Sequence, residues 1–345
     1  MQKIIDYLKA HWRVAALVFG GALLVVSAGA FFLLANLHNQ SLVVAPPSPE
    51  NTNVASPVAT PRTYTDLYAV SIDNHVDARP ASGIDQAAFV YEAPVEGAIT
   101  RFLAFFERGA QAPKIGPVRS ARLYFLDWIT SWSAVKFFHF GGSPEAMNKI
   151  SATPSLTAVN VDGATSGGDT FLRDPGQSAP HNAYTSSDNV EKIFAGNANA
   201  VSVTAWPMAN DPDMSARGAD GGKVAAPLSD LAAYSPVWVY SSATNLYTRT
   251  MGGKVEKTAA GVVITAKNIV VISTDISVID TDGRLKITTA GKGNAIIYRN
   301  GQTENVTWQT NGTTPPHFYA ADGSEAALTS GNVWIEVVPS GITKR

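Results

Sequence analysis

The chain has 345 residues, with 26 Lys and Arg against 28 Asp and Glu and no cysteine. A formal charge of −2 gives no electrostatic case for a nucleic-acid partner, which demands a basic face. The absence of cysteine excludes disulfides, thiolate catalysis and cysteine-ligated zinc or iron–sulfur centres.

Lys3, Lys9 and Arg13 stand against Asp6 at the amino terminus, and Val14 to Leu37 is a run of 24 residues without a charge. At about 1.5 Å per residue this run spans the ~30 Å hydrocarbon core of a membrane. No Lys or Arg follows until Arg62. The positive-inside rule therefore predicts a cytoplasmic tail (1–13), one transmembrane helix (14–37) and an exported remainder at the cell membrane. A cleaved signal peptide is the alternative, with Ala28-Gly29-Ala30 as its cleavage box, but the apolar run is long for one. Residues 38–63 hold five prolines and read as an extended linker.

From residue 64 the pattern turns globular. Leu67 to Ile72, Ala87 to Ala93, Ile99 to Phe106, Ala134 to Phe140 and Leu156 to Val161 read as strands, and Ser120 to Trp132 and Ser143 to Ile150 as helices. Residues 64–208 are thus expected to form a mixed α/β domain. Residues 209–229 are rich in Asp, Gly, Ala and Pro and read as a connecting loop. Short strands separated by Gly-bearing turns fill residues 230–345 (VWVY, NLYTRT, GVVIT, NIVVIS, LKITT, AIIYR, NVTWQ, VWIEVV). They predict an all-β second domain.

Polar residues cluster in turns at the strand ends, where α/β and α+β domains commonly carry a site. Arg119 and Arg122 are three apart and would share one face of a helix at its first turn, opposing the macrodipole. Either an anionic ligand or the internal carboxylates Asp73, Glu92 and Glu96 would compensate them. Glu92 and Glu96 flank Ala93-Pro94-Val95 and could face one another as an acid/base pair or serve as ordinary ion-pair partners. His75, His139 and His181 with Asp73 could relay protons or hold zinc. No tight metal-ligand spacing supports this, so neither metal nor cofactor is expected. Gly142 and Ser143 lie between a strand and a helix start, where amides hold anions, and Ser143 also suits an N-cap. Asn74, Arg79, Arg101, Arg173, Asn182 and Tyr184 complete the ligand-binding candidates. The catalytic candidates are Glu92, Glu96, His75 and His181.

In its motifs IDNH (from Ile72), ARPASG (from Ala78), VYEAPVEGAITRF (from Val90), IGPVRSAR (from Ile115), HFGGSPEA (from His139) and RDPGQSAPHNAYTS (from Arg173) the chain resembles a known family. NIVVIS, AGKGNAIIYRNGQ and GNVWIEVVP continue the likeness in the same order, over most of Asp66 to Ser340. The family is that of the YerB-like bacterial envelope lipoproteins, a domain of unknown function. The resemblance implies a two-part fold, an envelope location and no established activity. Typical members carry a lipobox cysteine, for which a transmembrane helix stands in here. Many also have an acidic residue in the turn that reads MGGKVEKTA in this chain, which leaves any role of that turn open.

Three functions fit these features. The first is binding of an anionic or carbohydrate cell-envelope component. The second is hydrolysis of cell-wall glycan or peptide by Glu92 or Glu96 with a histidine. The third is a non-enzymatic scaffold that docks envelope proteins.

Overall fold

The computed structural model describes residues 59–133, 135–165, 169–195 and 201–340. The expected tail (1–13), transmembrane helix (14–37) and most of the linker (38–63) lie outside the described residues. Among those described, no helix is long and apolar enough to cross a membrane.

The first half contains strands β1 (Thr60–Thr65), β2 (Leu67–Asp73), β3 (Phe89–Pro94) and β4 (Thr100–Glu107), then helix α1 (Leu123–Ser131). It continues with β5 (Lys136–His139), α2 (Pro144–Ala152), α3 (Pro154–Val159), β6 (Asn160–Asp162), β7 (Leu172–Arg173) and β8 (Ala183–Tyr184). Helix α4 (Ser187–Phe194) and β9 (Ser202–Ala209) follow. The second half begins with β10 (Lys223–Ala225), β11 (Val237–Ser241), β12 (Leu246–Met251), β13 (Lys254–Val255) and β14 (Thr265–Ala266). Next come β15 (Asn268–Thr274), β16 (Ile276–Val278), β17 (Leu285–Ile287) and β18 (Gly291–Arg299). The last strands are β19 (Gln302–Thr310), β20 (His317–Tyr319), β21 (Leu328–Thr329) and β22 (Val333–Pro339).

Ten strands make one mixed sheet, in the order β20-β19-β18-β15-β22-β3-β4-β2-β5-β6. Both halves of the sequence contribute to it. Strand β22 runs parallel to β3 and sets Trp334 against Val90 and Glu336 against Glu92. The central strands are covered on both faces, and every residue of β2 and β3 is buried. This is why they read as near-continuous apolar runs rather than alternating ones.

On one face Phe89, Tyr91 and Phe105 pack against Trp128 of α1, Trp132 at its C-terminal end, Tyr64 of β1 and Trp206 of β9. Trp132 stacks on Phe89 with ring centroids 4.2 Å apart. On the other face Phe102, Phe106 and Trp334 meet Trp238 and Tyr247 of the sheet formed by β10 to β14. Each fully buried large apolar side chain contributes about 1.5–3 kcal/mol, so these two layers clamp the central sheet.

Several elements differ from the sequence expectation. Helix α1 starts at Leu123, not Ser120, because the backbone before it bonds elsewhere: Arg119 N donates to Ser71 O and Ala121 N to Gly141 O. Arg119 is therefore not helical, and the expected Arg119/Arg122 helix face does not form. The segment read as a strand from Leu156 becomes α3, with Pro154 in its first turn, leaving only Asn160–Asp162 to pair with β5. Thr60 to Thr63, placed in the linker, belong to β1, whose register with β9 shifts between Pro61 and Thr63. A proline cannot donate to a ladder, and a strand tolerates it at such an irregularity. The connecting loop likewise contains β10, paired with β11.

Candidate functional site

Among the described residues three X-Pro peptide bonds are cis, at Arg79-Pro80, Gly116-Pro117 and Ala179-Pro180, one in each of three loops gathered at the end of β2. Gly116 has φ +142°, and a Cβ there would lie 2.7 Å from Val118 N. Only glycine lets the IGPVRSAR turn pass so close to itself. Pro117 O then accepts from Asp73 N at 2.8 Å, which ties this turn to the last residue of β2.

Asp73 is buried and holds together the groups around it. Its Oδ1 accepts from His75 N at 2.9 Å, and its Oδ2 lies 2.7 Å from His181 Nδ1. Arg119 Nε sits 2.9 Å from the same Oδ2, and Arg101 is its cross-strand partner on β4. Burial alone would raise the Asp73 carboxyl. The His75 amide, Arg101, His181 and Arg119 outweigh it and hold the group below the usual carboxylate range. An ionised Asp73 fixes the proton on His181 Nδ1 and leaves Nε2 as the free nitrogen. The His75 and His181 rings stack with centroids 4.9 Å apart. Asp77, which the sequence reading passes over, sends its amide to His75 Nδ1 at 3.2 Å.

Deeper in the protein lies a closed cluster. Glu92 has no exposed surface; its Oε1 accepts from Asn74 Nδ2 and Thr100 Oγ1, and its Oε2 from Arg249 at 2.6 Å. Asn74 is gripped in turn by Arg79, through Oδ1 at 2.9 Å and its carbonyl at 3.0 Å. Arg249 descends from β12 between the rings of Phe102, Trp238 and Trp334 and also pairs with Glu256. Glu336, opposite Glu92 in the sheet, accepts from Trp238 Nε1 at 2.8 Å. Burial, with the charge of Glu92 next to it, pushes the Glu336 carboxyl well above the ordinary value. Asn74, Arg79 and Glu92 thus hold each other, and Glu92 is out of reach of a substrate. It does not face Glu96.

Glu96 instead grips Arg122: Nε donates to Oε1 and Oε2 at 2.8 and 3.0 Å, and Nη2 to Oε2 at 2.6 Å. This pair forms one wall of an open cleft of about 360 Å³, with Ser120, Gly142, Ser143 and Arg284 among its other walls. Ser143 caps α2, accepting from Ala146 N, as its N-cap reading requires. A Cβ on Gly142 would lie 2.7 Å from Met147 Sδ, so a larger residue would push into the helix behind it. Arg284 crosses from the second half and is neutralised by Asp280 and Asp282.

The remaining candidates serve the scaffold. His139 is fully buried, with Nδ1 on Gly141 O at 2.8 Å and Nε2 on Asn160 Oδ1 at 2.6 Å; both nitrogens are occupied, so it orients the Gly141 turn and joins no ligand set. Arg173 bonds Asn182 Oδ1 at 2.6 Å and covers the Phe140 ring. Tyr184 is buried, and Lys114 Nζ already lies 4.0 Å above its ring, leaving that face unavailable for stacking on a sugar. Arg101 is likewise buried, and its Nη1 donates to Ser120 O. The sequence reading also missed Arg249, Glu256, Asp282, Arg284 and Glu336. They sit in strands and turns far along the chain: Glu336 reaches the first half through the shared sheet, and the others through elements packed against it.

Comparison with known proteins agrees with this architecture. Residues 55–200 match the N-terminal domain, and residues 226–335 the C-terminal domain, of a protein of unknown function, DUF3048. YerB of Bacillus subtilis (strain 168), which is named as a candidate lipoprotein, is 30% identical over 279 residues, covering 79% of this chain and 80% of YerB. The crystal structure of the B. subtilis YerB protein superposes with a TM-score of 0.67 at 28% identity, covering 82% of this chain and 96% of that one. The chain belongs to the DUF3048 family, to which its ordered loop motifs and its two sequence parts both point.

Proposed function

We propose that this is a membrane-anchored extracytoplasmic protein that binds a carbohydrate component of the cell envelope in the cleft between Arg122 and Arg284. The cleft itself carries the reading: an open volume of about 360 Å³ walled by polar groups from both halves. Its two arginines are each matched by carboxylates, Glu96 on one side and Asp280 with Asp282 on the other. Such a surface offers many donors and acceptors with little net charge. That suits the hydroxyls of a glycan better than a phosphate or polyanion, which favours unpaired cations. Residues 14–37 would hold the protein in the membrane with residues 1–13 in the cytoplasm, and the lipoprotein name of YerB agrees with an envelope location.

Binding is favoured over hydrolysis because Glu96 stays ionised. Burial would raise it, but the Arg122 bonds and charge outweigh burial and hold it below the usual range; a general acid needs the opposite. The test incubates the detergent-solubilised chain with purified wall glycan. Retention without new products, abolished by R284A and by R122A, supports the reading. Release of glycan fragments would make it a hydrolase, and equal retention of the variants would move the ligand away from the cleft. The scaffold reading draws on one observation, the half-exposed Val255 and Val262 near the β13 edge; in-cell cross-linking from that edge to another envelope protein would favour it.

A further inference from the structure

We infer that His75, Asp77 and His181 form a binding site for a divalent transition-metal ion of the zinc type. Their donor atoms lie within 4.8 Å of one another, though 104 residues separate Asp77 from His181. Two imidazoles and a carboxylate are the ligand types that such ions take, and three protein ligands leave a coordination position open to solvent.

The geometry behind these ligands is the stronger argument. The buried Asp73 carboxylate anchors both histidines, His181 through its ring Nδ1 and His75 through its backbone amide. A carboxylate on the far nitrogen of a histidine is the usual outer support of a metal-bound imidazole, fixing its tautomer and aiming its free nitrogen. Arg119, on the same Asp73 oxygen, holds that carboxylate in place. His75 Nδ1 and Asp77 Oδ2 stand 3.4 Å apart, and two ligand atoms ~2.1 Å from a tetrahedral ion are separated by about that distance. Among the described residues, His75 Nδ1 accepts a hydrogen bond from the Asp77 amide alone, at 3.2 Å, a weak bond that an ion would replace. The His75 and His181 rings now stack with centroids 4.9 Å apart, so His75, at the surface, would turn out of the stack to share an ion with His181.

The site is independent of the glycan reading, and its test does not use glycan. Untagged full-length protein in detergent is titrated with Co²⁺, followed by its visible absorption, and the Co²⁺ is then displaced with Zn²⁺. One Co²⁺ per chain is expected, with H75A and H181A each weakening uptake at least tenfold. H317A, in the separate His317–Glu325 pair, should leave uptake unchanged. His75 is one-third exposed, so H75A tests the ligand set without risking the fold. D73N should weaken affinity roughly 10–100-fold while the bands of the loaded site keep their shape, as befits a positioning residue. Absence of stoichiometric uptake, uptake unchanged in the H75A/H181A double variant, or equal weakening by H317A would each overturn the inference.

Discussion

Two regions of this protein use the same residue types to opposite ends. In the Arg249 cluster, arginine and carboxylates are sealed between two sheets and answer only to each other. At the end of β2, Asp73 is equally buried, yet it holds its histidines at the surface with one nitrogen of His181 left free. The difference lies in which atoms are spent on the fold. Glu92 has both oxygens committed inward, whereas Asp73 spends its oxygens on aiming other groups outward. A charged residue in a loop motif therefore says nothing about function until its partners are known.

Breaking the sealed cluster should have the largest effect. Arg249→Ala leaves Glu92 buried without its cation and should cost about 3–5 kcal/mol, the usual loss when one member of a buried pair is removed. Urea unfolding of the variant measures it, and a loss below ~1 kcal/mol would mean that water reaches Glu92. Asp73→Asn should cost less, about 2–3 kcal/mol, because the charged hydrogen bonds are weakened but not emptied. The pH dependence separates the two sites. The folded-state pKa of Asp73 lies below its unfolded value, so its contribution is present above the unfolded value and is lost as pH falls toward the folded one. D73N should flatten this acid limb, whereas R249A should leave the Asp73 contribution to it intact.

Much of the scaffold was legible from local pattern. The continuous apolar runs of β2, β3 and β4, the Ser143-Pro144 start of α2 and the short strands of the second half all follow from residues close in sequence. The site was legible in part. Asp73, His75 and His181 stand out as loop polar residues, but nothing in the chain says that Asp73 spans both histidines or that Asp77 joins them. The Glu92–Glu96 pair misled because an intervening proline suggests convergence, while the strand period sends Glu92 inward to Arg249 and the next turn delivers Glu96 to Arg122. That outcome depends on β12 and β22, more than 150 residues away, and on a parallel pairing that local signals do not encode.

The smallest effect sharpens the same contrast. Glu336 has a folded-state pKa well above its unfolded value, from burial first and the neighbouring charge of Glu92 second. It therefore remains protonated in the fold at pH values where the unfolded chain has released that proton. Below the unfolded carboxyl pKa the two states bind the same proton and Glu336 adds no pH dependence. Above it the native state binds more protons than the unfolded one, and stability falls as pH rises until the folded-state pKa is reached. Glu336→Gln is neutral at every pH and keeps an oxygen for Trp238, so at low pH its stability should lie within ~1 kcal/mol of the parent. Toward neutral pH the variant should become the more stable of the two, since it lacks the declining limb. Melting curves from pH 4 to 8 measure the gap. A constant gap across that range would mean that Glu336 is ionised in the fold, and that Arg249 faces a fully charged carboxylate pair.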